Sequence, residues 1–218
     1  MRRHLLSLLF VLVGSLLYVA QLPADENKPL GEVVAKGLDY LREKGQGEDG
    51  TLSPRIGSGV TSLAVTAALR HGQPLDDPLV ARGLKALEGF VQPDGGIYGS
   101  DRLRNYETCV AIVCFSEANK LAGDGRYDKI LKDAEKYVRG LQYGAAGNVD
   151  QKDLKFGGVG YSGPERPDLS NTAYLVDALH SVGATDDDPA LQRAMVFISR
   201  CQNFEGKWIE TEFADKVN

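Results

Sequence analysis

The chain has 218 residues, 43% of them hydrophobic and 25% charged, with a formal net charge of −5. That balance describes one sizeable soluble domain and excludes low-complexity disorder, collagen and a basic nucleic-acid binder. Glycine is raised, at 25 residues against a usual share of roughly 7%, while proline stays at 9, so the excess points to recurring turns.

In chain order, Arg2, Arg3 and His4 precede an apolar run from Leu5 to Ala20. A basic start followed by a short apolar core reads as a secretory signal over residues 1–24 and implies export to a periplasmic or extracellular space. Tyr18 and Leu22 stand at −3 from Ala20 and Ala24, so neither alanine completes a small-x-small cleavage site. The apolar stretch falls short of the ~20 residues needed to span a bilayer, so cleavage is expected over membrane anchoring. Removing Arg2 and Arg3 takes the charge from −5 to −7; the mature domain is acidic, with no affinity expected for nucleic acid. Cys109, Cys114 and Cys201 are an odd number for an exported chain and imply no disulfide framework; small buried side chains are expected.

The remainder, 25–218, reads as one domain of repeated helical pairs. Leu30, Val33, Val34, Leu38 and Leu41 follow helical spacing, then a polar glycine turn leads to a second helical face at Val60, Leu63, Ala64, Ala67 and Ala68. The order returns with Val80, Leu84, Leu87 and Val91, the turn 92–96, and Tyr106, Cys109, Val110 and Val113. It returns again with Ile130, Leu131, Ala134, Tyr137 and Val138, a longer turn ending Phe156-Gly157-Gly158, and Leu175, Val176, Leu179 and Val182. Leu191, Ala194, Met195 and Ile198 open a fourth round. Repeats are placed at 30–76, 77–125, 126–186 and, in part, 187–218. Gly50 to Gly95 is 45 residues and Thr61 to Thr108 is 47; Thr108 to Thr172 is 64, with the surplus in the loop 144–153. Asp77-Pro78 and Asp188-Pro189 each place Asp at the N-cap and Pro at the first helical position.

The turn residues carry a resemblance. Gln202, Glu205, Gly206 and Trp208 resemble the Gln-Trp motif of squalene cyclases, with Glu for Asp; Gln46, Asp49 and Gly50 match it with Leu52 in place of Trp. Gln92, Asp94 and Gly95 are read as a shortened copy. The chain is similar over about residues 30–210 to the prenyltransferase/squalene-cyclase repeat family. The resemblance implies an all-α fold, an α/α toroid in which inner helices ring a cavity and outer helices surround them. About three and a half helical hairpins are present, an incomplete ring. The turn residues, Gly157 and Gly158 included, read as structural: glycine permits positive φ, and Asp and Gln can bond free backbone groups at helix ends. Trp208 reads as a packing plug.

The family's reactive positions are altered. The cyclase acid motif Asp-x-Asp-Asp-Thr-Ala is matched by Asp168-Leu169-Ser170-Asn171-Thr172-Ala173. Its proton donor falls on Ser170, a hydroxyl too weak to protonate an alkene. Asp168 is the one catalytic candidate, and helix capping is its expected role. Tyr106-Glu107-Thr108-Cys109 is similar to the zinc-site motif Tyr-His-Thr-Cys of protein prenyltransferases, but Glu107 replaces the histidine, and the companion Asp-x-Cys-Tyr motif is absent. His71 and His180 are expected at equivalent second-helix ends, where an imidazole suits the dipole. Gly157-Gly158-Val159-Gly160 reads as a turn and not a phosphate loop, and Asp186-Asp187-Asp188 as a helix start and not a metal site. No cofactor or metal is implied.

Glu107, Cys109, Ser170, Asn171, Tyr106 and Tyr174 are the candidates for lining a ligand cavity, with Phe156 and Tyr161 as further aromatic wall. Two functions follow from the resemblance: a scaffold binding an apolar ligand or partner without the family's chemistry, or a terpenoid cyclase or prenyltransferase acting on an isoprenoid. Three hairpins and an unpaired final helix imply self-association or a second subunit completing the ring, or a piece of a longer toroid; the ending at Asn218 favours the last.

Overall fold

In a computed structural model the described residues are 30–147, 149–162 and 166–202. The expected signal, and Glu205, Gly206 and Trp208 of the last turn, lie outside them. Among the described residues the protein is all-helical: α1 (Leu30–Tyr40), α2 (Gly59–Arg70), α3 (Pro78–Glu88), α4 (Arg104–Ala122), α5 (Asp128–Leu141), α6 (Leu169–Ser181) and α7 (Pro189–Cys201). Strand-like pairing is confined to three isolated bridges. No described helix is long and apolar enough to cross a membrane.

Helix starts follow the predicted caps. Asp77 accepts the amides of Leu79 and Val80, Asp188 those of Ala190 and Leu191, and Pro78 and Pro189 fill the first helical positions, where a missing N–H costs nothing. α4 ends on Gly123 in the left-handed conformation, φ +66.

The chain divides between Gly37 and Leu38 into two units. The described part of the first is residues 30–37 of α1. In the second, α2, α4 and α6 pack side by side as a central layer, while α3 packs on α2, α5 on α4 and α7 on α6. The sequence reading pairs each helix before a glycine turn with the helix after it. The packed pairs are instead α2–α3, α4–α5 and α6–α7, because those helices are joined by the short connections 71–77, 123–127 and 182–188. The final helix therefore has a partner, contrary to expectation. α4, flanked by α2, α5 and α6, buries Cys109 to Ile112, Cys114 and Phe115 all round its axis, as a central helix must.

Three long turns join the flanking helices to the central layer and share one hydrogen-bond pattern. Thr61 Oγ1 accepts the amide of Leu52 (2.8 Å), Thr108 that of Ile97 (3.0 Å) and Thr172 that of Val159 (3.2 Å), and all three threonines are buried. Two residues before each amide stands a glycine with positive φ: Gly50 (+83), Gly95 (+92) and Gly157 (+84). Each glycine lies on the carbonyl of the next flanking helix, at Arg82, Asp133 and Arg193.

Gln46 and Gln142 occupy one position in this pattern. Gln46 Nε2 donates to Gly50 O (3.0 Å) and Leu79 O (2.9 Å); Gln142 Nε2 donates to Gly157 O and Ala190 O (2.9 Å each). The middle turn has Val91 there, fixed by its bridge to Ile97 as Gln46 is by its bridge to Leu52. Gln92, read from the sequence as the match to Gln46, bonds the carbonyls of Phe90 and Tyr98 within its own turn. Gln202 caps the end of α7 as Gln46 and Gln142 end their helices.

Arginines complete the two glutamine junctions. Arg42 pairs with Asp77 (3.0 Å), and Arg139 forks onto Asp188 with two bonds of 2.8 Å. Arg42 lies four residues before its glutamine and Arg139 three, and the π-helical turn Leu41–Gly45 absorbs the extra residue. The Arg139 guanidinium holds the Asp188 carboxyl at about 2, below its ordinary 3.8, with the Ala190 and Leu191 amides adding to the effect against the burial that opposes it. A depressed folded value stabilises above the ordinary value and is lost as pH falls through the folded one. The Asp188 contribution is thus expected to disappear between about pH 4 and pH 2. Acid unfolding followed by circular dichroism should show this loss in the wild type and a flattened profile over the same window in Arg139→Met.

Candidate functional site

Counted from the three buried threonines, the central helices present matching positions to one groove. Leu63, Val110 and Tyr174 lie two residues on, Thr66, Val113 and Asp177 five on, and Arg70, Glu117 and Ser181 nine on; all nine line a groove of about 430 Å³, with Lys120 and His180. The spacing keeps one face of α2, α4 and α6 turned to the groove. The groove is graded along the helix axes: its N-terminal row is apolar and its C-terminal row polar, with Arg70 paired to Glu117 at 3.0 Å. An apolar wall with a few convergent polar groups suits a small ligand with an apolar body.

Beyond the apolar row, the first turns of the central helices hold buried polar groups. Glu107 is fully buried, and its Oε2 accepts the Ser58 amide (2.9 Å), the Ser58 hydroxyl (3.0 Å) and the Gly99 amide (2.7 Å). Ser58 is the N-cap of α2, so the carboxylate of one central helix caps its neighbour, where free amides and the dipole favour a negative group. Gly57, at φ +86, has no room for a side chain against that carboxylate. Glu107 Oε1, Asn105 Nδ2 and Asn171 Oδ1 are buried without partners.

Of the cavity candidates, Tyr174 lines the groove and Tyr106 meets it edge to face, ring centroids 4.9 Å apart at 77°. Burial, then Tyr174 and Tyr161, push the Tyr106 phenol up. Glu107, Cys109 and Asn171 are instead buried in the layer, and Ser170 is exposed, so these four do not line this groove. Tyr161 is half exposed, and its carbonyl accepts the Asn105 amide. Phe156 lies on Gly144.

Asp168 is the N-cap of α6, as expected: Oδ1 accepts the Asn171 amide and Oδ2 the Asn171 Nδ2, each at 2.8 Å. Burial pushes the Cys109 thiol up and the Cys114 thiol up to about 12, as inert core cysteines require. Cys201 is exposed, unlike the buried residue expected. His71 is the C-cap of α2, but the C-cap of α6 is Val182; His180 lies two residues earlier, its Nδ1 3.2 Å from Ala184 O, so the histidines are not equivalent. Asp49 and Asp94 close their turns on the amides of Thr51 and Gly96, and Gly158 packs between Pro167 and Phe197.

Sequence reasoning missed Ser58, Gln142 and most of the groove. Leu63, Val110 and Val113 are visible in the sequence as helical faces of α2 and α4, but such stripes do not show that three helices share one groove.

No family model matches the chain, and no curated protein or solved structure matches it.

Proposed function

We propose that the protein is an exported α/α-repeat protein of the prenyltransferase/squalene-cyclase type. In this reading it holds an apolar ligand or partner on the face of α2, α4 and α6, without the family's chemistry. The groove carries the reading: Leu63, Val110 and Tyr174 come from one register position on the three central helices to make a single apolar row. The shared threonine–glycine pattern of the three turns supports the repeat assignment and, with it, the expectation of an incomplete toroid. A second copy or another subunit completing the ring belongs to the same proposal; a mass in analytical ultracentrifugation that stays monomeric at every concentration overturns the self-association.

Leu63 is 46% exposed, so Leu63→Asp adds a charge to the groove without opening the core. Calorimetric titration with squalene or a polyprenyl alcohol should show binding to the wild type, weakened roughly tenfold or more in Leu63→Asp at unchanged thermal midpoint. Equal affinities would move the ligand elsewhere.

The enzyme reading, a cyclase or transferase acting on an isoprenoid, rests on Asp168, whose two carboxylate oxygens are engaged by Asn171. Turnover of squalene or a polyprenyl diphosphate that Asp168→Asn abolishes would replace the scaffold by the enzyme.

A further inference from the structure

Arginine and glutamine side chains clasp successive flanking helices at the first and third junctions and, among the described residues, not at the second. At the first, Gln46 reaches Leu79 O, Arg42 reaches Gln73 and Asp77, and Arg82 returns to Gly47 O. At the third, Gln142 reaches Ala190 O, Arg139 grips Asp188, Arg193 returns to Gln142 and Arg200 holds the carbonyls of Gln151 and Asp153. Between α3 and α5 the same positions are held by Glu88 for the clasping arginine, Val91 for the glutamine and Asp133 for the returning arginine.

Each of these acids is satisfied locally. Glu88 pairs with Lys85 of its own helix (3.2 Å), Asp133 with Lys129 (2.6 Å), and Asp128, at the start of α5, accepts from Asn119 of α4 (2.7 Å). Among the described residues no ion pair and no side chain-to-backbone bond links α3 or the turn 89–98 to α5. What meets there is the Tyr98 ring stacked on Tyr137 at 6.0 Å, beside a groove of about 670 Å³ lined by Val91, Asp94, Gly95, Lys136 and Leu141. Stacked rings lack the directionality of a guanidinium fork and can slide.

α3 rides on α2 and α5 on α4, so a slide at this junction carries α2 across α4. Those two helices are held at one end by the buried Ser58–Glu107 clamp and at the other by the Arg70–Glu117 pair, whose side chains are 58% and 25% exposed. An exposed pair gives way before a buried, charge-assisted clamp.

We propose that the second junction is a slip plane: α2 and α3 pivot as one body about the Ser58–Glu107 clamp, and the Arg70–Glu117 pair is the latch that opens and closes the groove between α2 and α4. The motion belongs to the protein without ligand, so its test is independent of what the groove binds. Spin labels at exposed Lys85 and Lys132 span the second junction, and labels at Lys136 and Gln192 span the third, in a Cys201→Ser background where buried Cys109 and Cys114 stay unlabelled. The distance distribution across the second junction should be at least about twice as wide as that across the third. Glu88→Arg with Val91→Gln, which supplies two of the three missing groups, should narrow it, and Arg70→Gln should widen it. Equal widths in the wild type overturn the slip plane, whether or not the double variant folds. So does a width that the folded double variant leaves unchanged.

Discussion

Glu107→Ala should lose about 3–5 kcal/mol of folding stability, the range for stripping the acceptor from buried, charge-assisted bonds. Three donors converge on one oxygen of this side chain: the Ser58 amide and hydroxyl begin α2, the hydroxyl also reaching Ile97 O at 3.2 Å, and the Gly99 amide belongs to the turn before α4. Truncation leaves these donors facing a cavity below two glycines, Gly57 and Gly99, whose Cα atoms have closed in because no side chain separates them. Water can enter such a space, but it must satisfy several donors at once. Glu107→Gln keeps a carbonyl oxygen for the same donors and should lose less, about 1–2 kcal/mol. Urea unfolding of the three proteins provides the test. A loss below about 1 kcal/mol for the alanine variant would mean that the carboxylate does not hold the two helices together.

Alanine at the three turn glycines should destabilise in the order Gly157, Gly50, Gly95. All three have φ between +83 and +92, a conformation costing an L-residue roughly 1–2 kcal/mol. The added Cβ differs in what it meets. At Gly157 it would stand inside the carbonyl of Arg193, at Gly50 it would press on that of Arg82, and at Gly95 it would lie 2.8 Å from that of Asp133. These are backbone atoms of a neighbouring helix, so relief requires moving the helix, and overpacking of this kind adds about 1–3 kcal/mol. Gly157→Ala is therefore expected to lose about 3–5 kcal/mol and Gly95→Ala about 2–3 kcal/mol, near the lower end of the same sum. Thermal unfolding reads the order directly; a Gly95→Ala loss equal to that of Gly157→Ala would contradict it. The order also follows the junctions, since the glycine with most room faces the contact without clasps.

The helices, their caps and the glycine turns were legible because each is written locally. Asp-Pro marks a start wherever it stands, and Thr61, Thr108 and Thr172 could be aligned by counting. The pairing of helices was not, since an amphipathic stripe shows that a helix is covered and not by which neighbour. Gln142 escaped because the loop 144–153 separates it from Gly157, and in the middle turn Gln92 is read at the position that Val91 holds because it stands close before a glycine, while its side chain points back into its own turn. Glu107 was visible as a substitution in a zinc motif and as a cavity candidate, not as a cap on a neighbouring helix. Its partners Ser58 and Gly99 become relevant once α2 and α4 lie side by side, and Ser58 is 49 residues away.

The choice of packed pairs also sets where such a chain can be cut and rejoined. With α2–α3, α4–α5 and α6–α7 as the tight units, the natural module runs from one long turn to the next and contains a whole short connection. An excision such as α4 with α5 removes one module and brings turn to turn. An excision drawn on the repeats as the sequence suggests them would sever two modules and strand an apolar face on each. Duplication or deletion within such a gene is therefore expected to preserve folding when its breakpoints fall among the glycines, so that the turns act as the chain's recombination points as well as its corners.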